Sequence, residues 1–458
     1  MGRYFGTDGV RGLANQELTP ELAYKFGRTG AYLITKQKAK ASIVVGKDTR
    51  ISGDLLESAL IAGILSVGAT AIQAGVIPTP GVAYLTRTLQ ADAGVMISAS
   101  HNPVADNGIK FFGSDGFKLL DELEDQIEDL MDQPDDRLPR PVGADLGRLS
   151  VRKDAAEMYA KFLENTASVR LNGMKVVVDC ANGAAARIAP AVFSALGANV
   201  IPLAAEPDGI NINANCGSTR PDELRKAVVR EGAQLGLAFD GDADRLIAVD
   251  ETGELVDGDY ITAILARSLL DAGKLVRNTV VTTVMSNMGF VKAMRALNIN
   301  LIQTAVGDRY VVEAMRKGGY VLGGEPSGHT IMLHLNTTGD GILTAVQLAC
   351  VLVKTRRPLS ELRQIMRSYP QLLVNVPAAS KQGWDANVRI KRAIEAVEAE
   401  LGDEGRVLVR PSGTEPFIRV MVEGPDAALL EEYAERIARV IRSETGLVHP
   451  AFHPVSSR

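Results

Sequence analysis

Short apolar runs alternating with helical stretches set the strongest limit on how this chain can fold. Residues 41–46, 69–74 and 94–98 have the length and side chains of buried strands, and 18–34, 55–65 and 122–131 have the length of helices. The rhythm returns with strand-like runs at 175–179, 199–203, 235–239 and 246–249, and again at 279–284, 301–305, 320–322 and 331–335. Alternation of this kind requires crossover connections, so it predicts an α/β fold with mixed, mainly parallel sheets. Three successive blocks of similar size suggest a repeated fold, although the blocks show no clear self-similarity in sequence.

The last block differs. Strand-like runs at 371–376, 406–409 and 418–422 share fewer than a hundred residues with two long amphipathic helices, 386–401 and 427–441, which reads as a small α+β module. At 458 residues the chain is too long for one ordinary core, and roughly three or four domains are expected. The Pro- and charge-rich stretch Gln133–Pro141 marks the approach to a first boundary. The predicted domains are 1–152, 153–254, 255–367 and 368–458.

Net charge is −5 with a pI near 5.7, so no basic field favours nucleic acid or an anionic membrane. An anionic ligand would need local Arg, Lys and backbone donors. Cys180, Cys216 and Cys350 have no metal-site or CxxC spacing and are odd in number, as expected of reduced thiols in a cytosol. No apolar h-region follows Met1, and the most apolar stretch, 342–353, is too short to span a bilayer and reads as a buried helix. A cytoplasmic protein without membrane partners is expected.

Chemistry concentrates in four loops. The run Ala93-Gly-Val-Met-Ile97 breaks into Ser98-Ala-Ser100-His-Asn-Pro103, where Asn102 and Pro103 end the ladder. Ligands in open α/β sheets sit beyond the carboxyl ends of strands, so Ser100 is expected to project from a surface loop into a ligand crevice beside an imidazole. Asp240-Gly-Asp242-Ala-Asp244-Arg245 presents three carboxylates over a short reach, suited to a hard divalent cation. A calcium loop would also align Asp240, Asp242, Asp244 and Glu251, but its sixth position needs Gly and holds Arg245, and the flanks read as strands. Mg²⁺ in a phosphoryl-transfer site fits better.

Gly323-Gly-Glu325-Pro-Ser327-Gly-His329 combines a carboxylate, a hydroxyl and an imidazole on a Gly-rich turn, a mix suited to polyhydroxyl ligands. In Arg410-Pro-Ser412-Gly413-Thr414-Glu-Pro416 and Arg419, two guanidinium groups can fork onto phosphate oxygens while Ser412, Thr414 and the Gly413 amide line an anion nest. The spacing is not that of a nucleotide-binding P-loop, so a phosphate monoester is the expected ligand. Two further loops carry cations near glycines. Arg11 is a candidate for the transferring phosphate, while Lys47 and Arg50 are divided evenly between that role and pairing with acids.

These four motifs, in this order and one per block, resemble the α-D-phosphohexomutase superfamily over essentially the whole chain. Tyr4-Phe-Gly-Thr-Asp-Gly-Val-Arg-Gly12 and Asn215-Cys-Gly-Ser-Thr219 are similar to its bacterial phosphoglucosamine mutase branch; Pro326 departs from that branch, which usually has Gln there. The resemblance implies three similar α/β domains and a C-terminal domain around a central cleft. It implies that Ser100 is a phosphoserine, that Asp240, Asp242 and Asp244 hold one Mg²⁺ with an oxygen of that group, and that Arg11 and Arg245 neutralise the transferring phosphoryl. Lys110 and His329 become candidates for general acid and base, and Glu325 and Ser327 for sugar contacts. Arg410, Ser412, Gly413, Thr414 and Arg419 would grip the phosphate that stays in place.

The implied activity interconverts glucosamine 6-phosphate and glucosamine 1-phosphate through a glucosamine or glucose 1,6-bisphosphate, toward UDP-N-acetylglucosamine. The family also implies a homodimer. A phosphomannomutase/phosphoglucomutase is the alternative within the class, and a Mg²⁺-dependent sugar phosphatase the alternative outside it.

Overall fold

The computed structural model describes residues 3–6, 8–35, 38, 40–378, 380–412 and 416–445. They form two compact units, one drawn from 1–286 and 293–366, the other from 287–292 and 367 onward.

The larger unit repeats one sheet pattern three times. In the first sheet the parallel strands Thr70–Val76, Ser42–Lys47 and Ala93–Ile97 lie side by side, followed by Asp106–Gly113 antiparallel to the last. The second sheet orders Asn199–Leu203, Lys175–Asp179, Leu235–Phe239 and antiparallel Leu246–Asp250 in the same way. The third does so with Asn300–Thr304, Thr279–Thr283, Leu322–Gly324 and antiparallel Thr330–Met332. The repeat that sequence similarity conceals is therefore plain in strand order: second, first, third, fourth. The hairpin from third to fourth strand contains, in turn, Ser100, the Asp240–Asp244 run and Glu325–His329. Three reactive loops thus occupy equivalent places.

Boundaries follow local chemistry. Thr19 caps the helix Pro20–Ile34, its Oγ accepting from Leu22 N, and Pro20 supplies the preset φ of a first turn. Phe26 on this helix is fully buried and meets Phe5 edge-to-face at 5.4 Å, a contact set worth about 1.5–3 kcal/mol from burial alone. Gly341–Thr355 is the buried helix expected at 342–353, its start capped by Asp340, which accepts from Leu343 N. Asp340 also accepts from Tyr159 Oη at 2.8 Å and Asn336 Nδ2 at 3.0 Å, while Arg87 Nη2 donates to Asn336 at 2.7 Å. Segments far apart in sequence are locked by this buried network.

The strand Asp106–Gly113 was not predicted. Its Asp-Asn-Gly start reads as a turn, and burial on both faces removes the alternation that would mark a strand.

The smaller unit is a three-stranded antiparallel sheet, with Phe417–Glu423 between Gln371–Pro377 and Arg406–Pro411. Ile390 and Val397 of the helix Val388–Leu401, and Ile437 and Ile441 of Ala427–Thr445, pack in its core beside Val420. This is the expected α+β module. All three cysteines are buried and free of disulfides. Among the described residues no helix is long and apolar enough to cross a membrane.

Candidate active site

Ser100 follows a strand buried at every residue and adopts φ +54°, a left-handed conformation for a residue with a Cβ, which costs roughly 1–2 kcal/mol. Hydrogen bonds hold it there. Its N–H donates to Ser98 Oγ at 2.9 Å, and Ser98 Oγ donates to Asp48 Oδ2 at 2.6 Å. Arg50, buried and paired with Asp48 at 2.9 Å, donates to the carbonyls of Ser100 (3.0 Å), Asn102 (2.8 Å) and Pro103. Ser100 is not on a surface loop as expected: it is fully buried, with Asp240, Gly241 and Asn213 from the second sheet's loops packed against it.

Its Oγ donates to Asp240 Oδ2 at 2.6 Å and lies 3.3 Å from His101 Nδ1. Gly241 makes this approach possible, since a Cβ there would stand 2.5 Å from the Ser100 carbonyl oxygen. Gly328 does the same for the third loop: at φ +92°, its Cβ would fall 2.2 Å from the Leu246 carbonyl oxygen. The Gly328 carbonyl accepts from Leu246 N at 3.0 Å.

Asp240, Asp242 and Asp244 are all buried, and each offers an oxygen to a common set lying within 4.8 Å of one another. Burial, then Asp244 and Asp242, pushes Asp240 well above the ordinary carboxylate range. Burial also opposes the charge on Asp244, but His329 and Lys110 outweigh it and hold that group below its usual range. Asp242 Oδ2 accepts from Thr79 Oγ at 2.6 Å and Lys110 Nζ at 2.9 Å. Asp242 Oδ1 and Asp244 Oδ1 are buried without a hydrogen-bond partner. Three convergent buried carboxylates, with Asp242 Oδ1 unpartnered and Asp244 Oδ1 met only by longer ion-pair contacts to His329 and Arg245, form a donor set that fits a hard divalent cation.

Lys110 pairs across from Met96 in the strand that sequence reading missed. Its Nζ, 1% exposed, also lies 3.1 Å from Asp8 and 3.7 Å from Asp244. Burial disfavours its charge, yet Asp242, Asp8 and Asp244 raise it well above an ordinary lysine. His329 is buried with Nδ1 3.6 Å from Asp244 and Nε2 3.4 Å from Asp308. Burial lowers it, but these two acids prevail and it is raised to about 9. His101 is lowered to about 4 by burial and by Arg245 and Arg11. Arg245 donates its N–H to Asp240 at 3.2 Å and sends Nη1 to within 3.1 Å of His101.

Arg11 pairs with Asp8, which also pairs with Lys118, and Lys118 reaches Asp308 at 2.6 Å. Asp8 lies in the quoted Tyr4–Gly12 motif but was given no role there, and no motif marks Lys118 or Asp308; the three meet only in space. Glu325 accepts from Gly307 N at 3.3 Å and is raised by burial, while Ser327 is exposed. Ser100, Lys110, Arg245, His329 and the three aspartates are thus linked through direct contacts. Lys47 pairs with Asp54 and Glu57, so both Lys47 and Arg50 fall to the acid-pairing side of the even division.

In the smaller unit, Arg410 and Arg419 are direct cross-strand partners, and Ser412 is buried at the end of the same hairpin. Burial, then the facing Arg419, lowers the Arg410 guanidinium from its ordinary value. Gly413 and Thr414 lie outside the described residues.

Family models for phosphoglucomutase/phosphomannomutase alpha/beta/alpha domains I, II and III match residues 2–138, 157–253 and 257–369, and that for the C-terminal domain matches 373–440. The chain belongs to the phosphoglucomutase/phosphomannomutase family. Within it, the chain is 57% identical over 446 residues to the phosphoglucosamine mutase of Brevibacillus brevis, covering 97% of this chain and 100% of that one. A phosphoglucomutase/phosphomannomutase family protein of Burkholderia thailandensis has the same fold, with TM-score 0.80 at 22% identity over 97% of this chain and 98% of that one. So does Aspergillus fumigatus N-acetylphosphoglucosamine mutase, solved with GlcNAc-6P and magnesium, with TM-score 0.70 at 17% identity over 97% and 96%.

Proposed function

We propose that this chain is a phosphoglucosamine mutase, interconverting glucosamine 6-phosphate and glucosamine 1-phosphate through a 1,6-bisphosphate sugar. The observation that carries the reading is the Ser100 hydroxyl, 2.6 Å from Asp240 in a buried tri-carboxylate cluster, in a chain similar end to end to phosphoglucosamine mutases. Ser100 is the phosphorylated residue. Asp240, Asp242 and Asp244 hold one Mg²⁺ per chain, and the bound cation supplies neutralisation of carboxylate and phosphoryl charge. The unpartnered Asp242 Oδ1 and the mutual approach of the three buried carboxylates support this assignment.

In the transfer step the P–Oγ bond of phosphorylated Ser100 breaks as a bond forms between phosphorus and the sugar's free hydroxyl. The hydroxyl proton ends on Ser100 Oγ, relayed by groups of the cleft. Lys110 and His329, both held protonated by neighbouring carboxylates, are the candidates for general acid and base: the one that gives its proton to Ser100 Oγ as the P–Oγ bond breaks recovers a proton from the attacking hydroxyl. Arg245 and Arg11 offset charge on the moving phosphoryl group, where catalysis is mainly positioning and electrostatics. Glu325 and Ser327 contact the sugar, and Arg410, Ser412, Gly413, Thr414 and Arg419 grip the phosphate that stays. The bisphosphate then turns over and returns its other phosphate to Ser100. The remaining parts of the reading are domains at 1–152, 153–254, 255–367 and 368–458, a homodimer, and a cytoplasmic place in UDP-N-acetylglucosamine synthesis.

Turnover of glucosamine, glucose and mannose phosphates, each primed with its 1,6-bisphosphate, tests the reading. Glucosamine phosphate is expected to give the highest kcat/KM. A preference for mannose or glucose phosphate would assign the alternative mutase, and net release of inorganic phosphate would assign a phosphatase.

A further inference from the structure

Asn213 lies two residues before the Asn215–Thr219 motif, in a loop outside the chemistry described above, yet it touches the Ser100 loop directly. Its Nδ2 donates to the Ser100 carbonyl at 2.9 Å and to the Asn102 carbonyl at 3.1 Å. These are the same two carbonyls that accept from Arg50 Nη2, at 3.0 and 2.8 Å. A carbonyl oxygen has two lone pairs, so both acceptors are saturated, by one donor from each of two different sheets' loops. The Ser100–His101 and Asn102–Pro103 peptide planes are thereby fixed, and with the Ser100 N–H held by Ser98 Oγ so is the left-handed backbone at Ser100. Asn213 is itself left-handed, at φ +58°, and its N–H donates to the Ala181 carbonyl at 2.9 Å, which anchors the donor to the second sheet. The second sheet also supplies Asp240, the partner of Ser100 Oγ.

We propose that Asn213 is a positioning residue for phosphoryl transfer: with Arg50 it clamps the Ser100 loop, so that Oγ keeps its place over the carboxylate cluster while it gains and loses phosphate. The inference rests on the mutase reading. It assigns to Asn213 no contact with substrate or cation. Its effect runs through the placement of the nucleophile, and a misplacement of about 1 Å can lower a rate on the order of a hundredfold.

Asn213→Asp tests this, since aspartate keeps the size and the tolerance of left-handed φ but faces the two carbonyls with an acceptor. Asn213→Gly removes the side chain while keeping the backbone conformation accessible, and Asn215→Asp repeats the charge change on an exposed neighbouring position. The readouts are the extent of Ser100 phosphorylation by a 1,6-bisphosphate sugar, from intact mass, together with kcat, KM and thermal midpoint. Both Asn213 variants are expected to lose roughly ten- to a hundredfold in kcat and to phosphorylate more slowly, at nearly unchanged KM and midpoint, while Asn215→Asp behaves as wild type. Normal kcat and phosphorylation in Asn213→Asp and Asn213→Gly would overturn the inference alone, as would an equal loss in Asn215→Asp. A wild-type chain that never takes phosphate on Ser100 would overturn the mutase reading and the inference with it.

Discussion

Ser100 Oγ donates to Asp240 Oδ2 at 2.6 Å across 140 residues of sequence. The contact joins the third-to-fourth-strand hairpin of one sheet to the equivalent hairpin of the next, and Gly241 provides the clearance for it.

Ser100→Ala is expected to abolish mutase turnover while keeping the fold. The variant loses one hydrogen bond to a carboxylate, worth roughly 1.5–3 kcal/mol, and relieves nothing else in the loop, whose clamp is made by backbone carbonyls. Intact mass after incubation with bisphosphate sugar should show one phosphate on wild type and none on the variant. Near-normal turnover in the variant would reject the covalent assignment.

Asp242→Asn should weaken divalent-cation binding by about tenfold or more, because a neutral amide replaces one of three clustered carboxylates. Titration of Mg²⁺ followed by thermal shift reads this directly. Equal Mg²⁺ stabilisation of variant and wild type would remove Asp242 from the cation site.

Asp340 supplies a pH test. Burial raises it to about 6, despite hydrogen bonds from Leu343 N, Asn336 and Tyr159. Because the folded value lies above the unfolded one near 4, the native state holds the proton more tightly. The stability from this group is complete below about pH 4 and declines as pH rises through about 6, by on the order of 3 kcal/mol. Asp340→Asn removes that titration, so wild type should lose midpoint relative to the variant between pH 4 and 7. Parallel pH profiles would refute it.

Arg419→Ala should raise KM with kcat less affected, by one to two decades in kcat/KM, the equivalent of a charge-assisted hydrogen bond of about 1.5–3 kcal/mol. On the proposed assignment Arg419 would hold the phosphate that stays in place, and such contacts exist in ground and transition states alike. Because the sugar binds in two orientations, the loss should appear in both reaction directions. A collapse of kcat at unchanged KM would move Arg419 to the reacting centre.

The alternation of short apolar runs with helices was enough to place Lys175–Asp179 and Leu235–Phe239 as strands to the residue and to separate the α/β blocks from the terminal module. It was enough because local periodicity and chain stiffness act over a handful of neighbouring residues. The Ser100, Asp240–Asp244 and Glu325–His329 loops were legible for the same reason: reactive side chains cluster where an apolar run stops. Only the tertiary structure revealed that these loops are the same hairpin of one repeated sheet. Strand order depends on pairing between distant segments, which leaves no local trace. Tertiary structure alone likewise decided the burial of Ser100, the turning of Arg50 toward Asp48 and three carbonyls, and the meeting of Lys110 with Asp8, Asp242 and Asp244. A charge in water is satisfied wherever it lies, so composition says nothing of its partner; once the loops close and exclude water, each buried charge must find an opposite one, and the fold determines which.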